Sequence, residues 1–155
     1  MKFVLRSMRE EDLPDAVAIT TENFAQDGKR TARYEPARVR ERLASSFAGD
    51  DFAPRFVVAV KHDGELVGVA GWGRIEIATA TWGLFLSSVN REYRGKGLGT
   101  ALVVERLGRI SEEADRGRVL VSTGHRKRFE RFGFRSVDYD EERSLHLMLK
   151  RLDRT

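Results

Sequence analysis

The stretch that decides the fold is VNREYRGKGLGTAL, residues 89–102. An apolar, strand-like segment ends at Val89, a turn with three glycines in five residues follows, and an amphipathic helix begins at Leu98. Glycines let a ligand approach the backbone closely. The first N–H groups of a helix lack partners within the helix, and the helix dipole is positive there. The stretch therefore predicts a site for a phosphate or diphosphate, beside the charges of Arg94 and Lys96.

Two common phosphate-binding loops do not match this stretch. A P-loop requires lysine directly before serine or threonine, whereas Lys96 precedes Gly97. The dinucleotide-binding fingerprint requires G-x-G-x-x-G, whereas Thr100 occupies the position of its last glycine. The spacing that remains is Arg94-x-x-Gly97-x-Gly99.

The rest of the chain predicts one domain, residues 1–155, in which strands and helices are mixed. Its 155 residues, 41% hydrophobic and 34% charged, are typical of a single soluble domain. A hairpin run in the middle of the chain favours a mixed sheet flanked by helices, of either the α/β or the α+β class. Strands are predicted at 3–8, 56–60, 66–77, 81–89, 118–121 and 145–150. Two helices are predicted to begin near residues 11 and 35, and two more are predicted over 98–114 and 126–132.

The composition excludes several classes of protein. The chain has no cysteine, which excludes disulfides, thiolate nucleophiles and zinc-thiolate sites. No run approaches the ~18 apolar residues of a membrane span, and an arginine at position 6 interrupts any secretory signal. The three histidines show no metal-ligand spacing, and we expect no metal site. We therefore expect a cytoplasmic protein without a membrane partner.

The charge is uneven along the chain. Residues 1–77 hold 12 Lys/Arg and 13 Asp/Glu, whereas residues 78–155 hold 16 and 11. A basic half indicates an anionic partner, such as a phosphate-bearing cofactor, a nucleic acid or a membrane surface, or else a solvated surface with no partner. We expect no nucleic acid, because no recognised motif is present and aromatic residues are not interleaved with the basic ones.

Two motifs resemble those of one known family. Arg94-x-x-Gly97-x-Gly99, preceded by SSVNREY at 87–93, resembles the acetyl-CoA-binding motif of GNAT-type N-acetyltransferases. FERFGF at 129–134 is similar to the family's Tyr-Glu-Lys-x-Gly-Phe segment. The order of elements along nearly the whole chain is also similar. The resemblance implies one mixed, mostly antiparallel sheet of about six to seven strands, with a central splay and about four flanking helices.

The resemblance also implies acetyl-CoA as co-substrate. The strand 81–89 would separate from the strand at 119–121, and its backbone at Ser87 and Val89 would pair with the pantetheine arm. Backbone N–H groups from Gly95 to Thr100 would hold the diphosphate, and the N–H of Val89 would polarise the acetyl oxygen. The residues expected at the cofactor are Ser87, Val89, Arg94, Gly95, Lys96, Gly97, Leu98, Gly99 and Thr100.

The implied reaction is direct transfer of the acetyl group to a primary amine in a ternary complex. Only the neutral amine attacks, so a base or a water path is required. The candidates for proton transfer are Glu76, Ser122 and His125. Each also has a structural interpretation: an exposed charge at a strand end for Glu76, a helix cap for Ser122 and a helix-start residue for His125. The acceptor, a small molecule or a peptide, stays open, as does the oligomeric state, with a homodimer among the possibilities.

Phe129 departs from the family pattern. The family commonly has a tyrosine at this position, whose hydroxyl protonates the departing thiolate, and Phe129 has no such proton. Either another group acts as the acid, or the thiolate leaves with the help of solvent, or the protein is a non-catalytic module that senses acyl-CoA. An ordinary thiol has a pKa of about 8.5, so the second of these alternatives requires no dedicated acid.

Overall fold

A single sheet organises the molecule. The computed structural model describes residues 2–26 and 34–153, and within these residues seven strands form one sheet in the order β1-β2-β3-β4-β5-β7-β6. The strands are β1 (Phe3–Ser7), β2 (Arg55–Lys61), β3 (Leu66–Arg74), β4 (Thr81–Val89), β5 (Arg116–Thr123), β6 (Arg135–Asp140) and β7 (Leu145–Asp153). Among these strands the β4–β5 pair is parallel and the other pairs are antiparallel. The expected mixed, mostly antiparallel sheet is confirmed.

The described residues contain four α-helices: α1 (Leu13–Gln26), α2 (Pro36–Ala44), α3 (Leu98–Glu113) and α4 (Arg126–Glu130). Proline at the first position of α2 is favoured, because its missing N–H has no helical partner there. α4 ends earlier than the sequence predicts. The chain turns after it at Gly133, whose φ of 88° suits glycine.

The core lies on both faces of the sheet. Neighbouring residues of β2 point in opposite directions, so Val57 packs in the cluster under α3 and Val58 packs in the cluster under α1 and α2. β3 is buried from Leu66 to Gly73. Both strands therefore read as continuous apolar runs rather than as alternating ones.

Two features of the fold were not predicted. β6 was not predicted, although Val137 and Tyr139 alternate there with polar residues; all six residues of this strand are exposed. The spacing of Val103, Leu107, Ile110 and Ala114 predicts the apolar stripe of α3, but the buried face also contains Arg106. A count of apolar residues alone cannot find a buried arginine.

Candidate active site

A cleft opens where β4 and β5 separate. Their parallel pairing ends at Leu84 opposite Val121, although β4 continues to Val89 and β5 to Thr123. The cleft has a volume of about 870 Å³. Because the strands no longer satisfy each other beyond the last pair, backbone groups there are available to a ligand.

A bulge in β4 shapes this edge. Ser88 lies opposite Val69 of β3. Phe85 lies opposite Gly71, so β4 has one residue more than β3 over this interval. Leu86, inside the bulge, has a φ of 48°, which residues with side chains rarely adopt. Bulges re-aim side chains and backbone groups, and they are frequent beside active sites.

The peptide groups of Val89 point toward the cleft. The N–H of Asn90 donates to the carbonyl of Val67 in β3 at 2.8 Å. Neighbouring residues of a strand alternate the side to which their N–H and C=O point, so those of Val89 face away from β3. Ser87 lies two residues earlier and also lines the cleft. β4 thus presents an open strand edge along the cleft.

The glycine turn, residues 94–97, leads from this edge into α3. Gly95 and Gly97 have φ values of 77° and 85°, the left-handed conformation that favours glycine. None of the described side chains caps the helix, and the N–H of Ala101 is bonded to the carbonyl of Gly97 at 3.0 Å. The N–H groups of residues 98–100 precede this first helical bond. They form a positive helix end that suits an anion.

Six of the nine residues expected at the cofactor line the cleft: Ser87, Val89, Arg94, Gly95, Leu98 and Gly99. Lys96, Gly97 and Thr100 are exposed beside it. Gly97 does not line the cleft, but its left-handed φ shapes the turn.

The side chain of Arg94 connects the glycine turn to β4 and α1 through hydrogen bonds. Its Nε donates to the carbonyl of Val89 at 3.2 Å, and its Nη2 donates to Oδ1 of Asn23 in α1. The arginine therefore ties the end of β4 to α1. Its positive charge stays at the rim of the cleft, where its side chain is exposed.

Arg128 of α4 reaches across to the start of α3. A Cβ built on Gly99 would lie 2.9 Å from Nη1 of Arg128, so the guanidinium lies against the bare glycine backbone. Arg128 lines the cleft. Its neighbours do not: Arg126 pairs with Glu130 at 2.9 Å, and Lys127 is exposed. Arg128 therefore adds a full charge beside the N–H groups of the helix end.

Arg106 is a buried cation that borders the cleft. The residue is 1% exposed, its Nε donates to the carbonyl of Leu102, and its Nη1 donates to the carbonyl of Gly71, both at 3.0 Å. Nη2 has no hydrogen-bond partner among the described residues. Burial, with a smaller effect of nearby Arg128, lowers the pKa of Arg106 to about 9. Sequence reasoning missed this residue. Its position three residues after Val103, within the apolar stripe of α3, was the available signal.

Two of the three predicted catalytic residues meet in the cleft. Ser122 and His125 both line it. The backbone N–H of His125 donates to Oγ1 of Thr123 at 2.9 Å, which fixes the chain just before α4. Glu76 is not brought to them. It lies exposed in the turn after β3, beside the start of β4, whereas the cleft lies along the far end of β4.

Phe129 also borders the cleft, beside these residues. Its side chain is buried, and its ring contacts the ring of Phe134 edge to face, with centroids 5.3 Å apart. The phenylalanine fills the position as part of the core and supplies no proton to the cleft.

The side of the cleft toward α1 and α2, the α2 wall, is rich in aromatic rings and arginines. Arg38 and Arg42, one turn apart on α2, line it. The guanidinium of Arg42 lies 4.9 Å from the centre of the Phe85 ring. Phe24 and Tyr34 stack with their ring centres 4.2 Å apart. This wall can bind a small molecule through charge and flat apolar surface.

No group of three or more histidine, aspartate or glutamate side chains within residues 2–26 and 34–153 could hold a metal ion. No helix found there is long and apolar enough to cross a membrane.

The comparison with protein families decides the family. The sequence profile of the acetyltransferase (GNAT) family matches residues 5–134, which include the strand edge, the glycine turn and most of both walls. The chain belongs to this family. The family resemblance of the two motifs is confirmed, and so is the kind of enzyme, an acetyl-CoA-dependent N-acetyltransferase.

Solved structures share the GNAT fold. A GCN5-related N-acetyltransferase from Kribbella flavida is 23% identical with a TM-score of 0.78, over 97% of this chain and 98% of that chain. PaiA N-acetyltransferase from Thermoplasma acidophilum, in complex with coenzyme A, is 18% identical with a TM-score of 0.76, over 97% and 99% of the two chains. YhbS from Escherichia coli, also in complex with CoA, is 19% identical with a TM-score of 0.73, over 98% and 82%. A search of curated proteins finds no match.

Proposed function

We propose that the protein transfers the acetyl group of acetyl-CoA to a primary amine by direct attack within a ternary complex. Acetyl-CoA supplies the activated acyl group as a thioester. The observation that carries the proposal is the glycine turn, which ends an open strand edge and begins an uncapped helix. The chain thereby offers an extended backbone edge and an anion site in direct succession, which suits a long ligand with a diphosphate in its middle.

The helix end is the proposed site of the diphosphate. The N–H groups of residues 98–100 and the guanidinium of Arg128 converge beside Gly99. A single contact of an anion with an exposed helix end contributes roughly 0.3–1 kcal/mol, so several must act together. A full charge next to the helix end, with Lys96 exposed nearby, supplies the additional attraction.

The edge of β4 is the proposed site of the pantetheine arm. The backbone groups of Ser87 and Val89 lie on the edge that β5 has left. An extended ligand pairs with such an edge as an additional strand does, through main-chain hydrogen bonds. In this proposal the N–H of Val89 polarises the acetyl oxygen, which makes the carbonyl carbon more susceptible to attack.

The amine must lose a proton before it attacks. A lysine-like amine with a pKa of about 10.4 is almost wholly protonated at pH 7, and its deprotonation costs about 4.6 kcal/mol. His125 and Ser122 line the cleft and are the proposed route for this proton, with His125 as the base. Glu76 has no part in this route, because it lies away from the cleft.

In this proposal the thiolate of CoA leaves without being protonated by a tyrosine hydroxyl. Since an ordinary thiol has a pKa of about 8.5, the thiolate is a fairly good leaving group. The positive charges of Arg106 and Arg128 border the same cleft, and charges in a partly desolvated site favour a developing anion. Phe129 therefore does not prevent transfer in this proposal.

A turnover assay tests the proposal. The full chain is mixed with acetyl-CoA and a panel of amines, and free thiol is measured over time. We expect thiol release that depends on both the amine and the protein, together with formation of the acetylated amine. Release that does not depend on any amine, or no release at all, contradicts the proposed transfer.

A further inference from the structure

The proposed cofactor site has two parts, which lie on different elements. The diphosphate part is the start of α3, and the pantetheine part is the open edge of β4 beyond its bulge. One coenzyme molecule has to reach both parts at the same time, so its affinity depends on the distance between them. The contacts that fix α3 to the sheet near the bulge set this distance.

Two residues of α3, one turn apart, contact β3 on either side of the bulge. A Cβ built on Gly68, which lies opposite the last residue of β4, would be 3.5 Å from Cδ1 of Leu102. Nη1 of Arg106 donates to the carbonyl of Gly71 at 3.0 Å. Gly71 lies opposite Phe85, and the extra residue of β4 falls between these two points. α3 therefore meets the sheet at the bulge itself.

The two contacts differ in how strictly they fix the geometry. Leu102 makes an apolar contact, which has no preferred direction. The guanidinium of Arg106 is planar, and its hydrogen bonds weaken steeply when they are bent. Its Nε donates to the carbonyl of Leu102 in α3, and its Nη1 donates to β3, both at 3.0 Å. One rigid group thus joins the helix to the strand.

The stability of the fold does not explain an arginine at this position. Arg106 is buried, and its Nη2 has no hydrogen-bond partner among the described residues. Burial of a cation whose hydrogen bonding is incomplete is costly, and an apolar side chain of similar length often replaces such a group without loss of stability. The geometry that the arginine imposes on the cofactor site is the better explanation.

We propose that Arg106 is a positioning residue for the cofactor, which holds the start of α3 and the open edge of β4 at the separation that acetyl-CoA spans. The inference rests on the proposed placement of the diphosphate and the pantetheine arm. Arg106 acts in it through the backbone of Leu102 and Gly71 and not through contact with the coenzyme. Loss of the arginine therefore weakens binding of the whole coenzyme, whereas the diphosphate part keeps its own affinity.

Calorimetry on the full chain with acetyl-CoA and with ADP tests the inference. ADP carries a diphosphate but no pantetheine arm, so it reports on the helix end alone. The variants are Arg106→Met and, as a polar replacement for the same bridge, Arg106→Gln. The matched control is Arg109→Met on the same helix. Nη1 of Arg109 also joins α3 to a strand, at Oγ of Ser7 in β1 at 2.8 Å, but Arg109 does not line the cleft.

We expect both Arg106 variants to bind acetyl-CoA about tenfold more weakly and to bind ADP as the unmodified chain does. Arg109→Met should change neither affinity, and thermal melting confirms that each variant is folded. Equal losses for acetyl-CoA and ADP would show that Arg106 acts through its charge, and they would overturn the inference. An unchanged affinity for acetyl-CoA in a folded Arg106 variant, or the same loss in Arg109→Met, would also overturn it.

Two further measurements distinguish this failure from failure of the proposed function. If Gly97→Val lowers the affinity for acetyl-CoA and Arg106→Met does not, the placement of the cofactor stands and the positioning role is wrong. If neither variant changes the affinity, the placement and the positioning role are both wrong. The expected acetyl-CoA and ADP affinities without thiol release in the turnover assay would refute the proposed transfer and support the positioning role.

Discussion

The two walls of the cleft are built in different ways. The wall toward α3 is made of backbone: an open edge at Val89, a glycine turn and the N–H groups of residues 98–100, all within one short stretch of chain. The α2 wall is made of side chains from α1, α2 and β4, which come from distant parts of the sequence. In the proposed function, the first wall binds the diphosphate and the extended arm of the cofactor, and the second wall faces the acceptor. Binding of the cofactor and choice of the acceptor are thus separable properties.

The largest expected effect comes from the α3 side. Replacing Gly97 by valine forces a β-branched residue into a φ of 85° and should move the N–H groups of the turn. Since charge-assisted hydrogen bonds contribute about 1.5–3 kcal/mol each, loss of two of them weakens binding of acetyl-CoA by more than about a hundredfold. Calorimetry measures this change.

Gly49→Val is the matched control for this variant. Gly49 has a φ of 78°, and no described atom lies within 4 Å of its would-be Cβ, as at Gly97. The two variants should therefore lose similar stability in thermal melting, but Gly49→Val should bind acetyl-CoA as the unmodified chain does. Equal affinities of the two folded variants would show that the glycine turn does not hold the cofactor.

His125 lines the cleft from the segment between β5 and α4, and its replacement tests the chemistry rather than the binding. General acid–base catalysis typically contributes about 10²–10⁴-fold, so His125→Ala should lower kcat by well over about tenfold and leave the affinity for acetyl-CoA nearly unchanged. His62→Ala, in the exposed turn between β2 and β3, is the control and should have no effect. A smaller loss for His125→Ala would remove His125 from the proton route.

Arg128 is a charged side chain in a wall that is built mainly of backbone, so its replacement measures what this charge adds to the backbone N–H groups. Arg128→Gln should lower the affinity for acetyl-CoA by about tenfold at low salt, and by less at high salt, where charges are screened. Its neighbour Lys127 is exposed and does not line the cleft, so Lys127→Gln should change little. Titrations of both variants at two salt concentrations check this; equal effects of the two would contradict the placement of Arg128.

The smallest effect is expected at Phe129. If the thiolate leaves without an acid, Phe129→Tyr should raise kcat by less than about threefold, since the leaving group already has a pKa of about 8.5. Steady-state rates at pH 7 measure this. A large gain would show that the absent hydroxyl limits the enzyme.

The contrast between the walls also explains what the sequence could predict. The glycine turn and the start of α3 follow from local rules, because spacing, helix-end N–H groups and glycine dihedrals are properties of adjacent residues. The pair Arg38 and Arg42 carries no such signal, because two arginines one turn apart are common on solvated helices. They reach the cleft only because Val39 and Leu43 of the same helix pack in the core cluster with residues of α1, β2 and β3.

Arg106 and Glu76 show that local patterns do not predict contacts between distant residues: Arg106 was missed at the cleft, and Glu76 was expected near it but lies elsewhere. Arg106 is buried because β3 offers the carbonyl of Gly71 to its guanidinium, a contact between residues 35 positions apart. Glu76 is predicted to be near the chemistry because it lies near the end of the central hairpin, where the family often places a base, yet the turn that contains it lies at the opposite end of β4 from the cleft. Both outcomes depend on the register of the sheet, which local patterns do not specify.

The most direct test is a crystal structure of the full chain with acetyl-CoA. We expect diphosphate oxygens within hydrogen-bonding distance, about 2.7–3.2 Å, of the backbone nitrogens of residues 98–100, with the pantetheine arm along the edge of β4. A bound coenzyme whose diphosphate lies elsewhere, with the helix end empty or filled by a side chain of the protein, would contradict it.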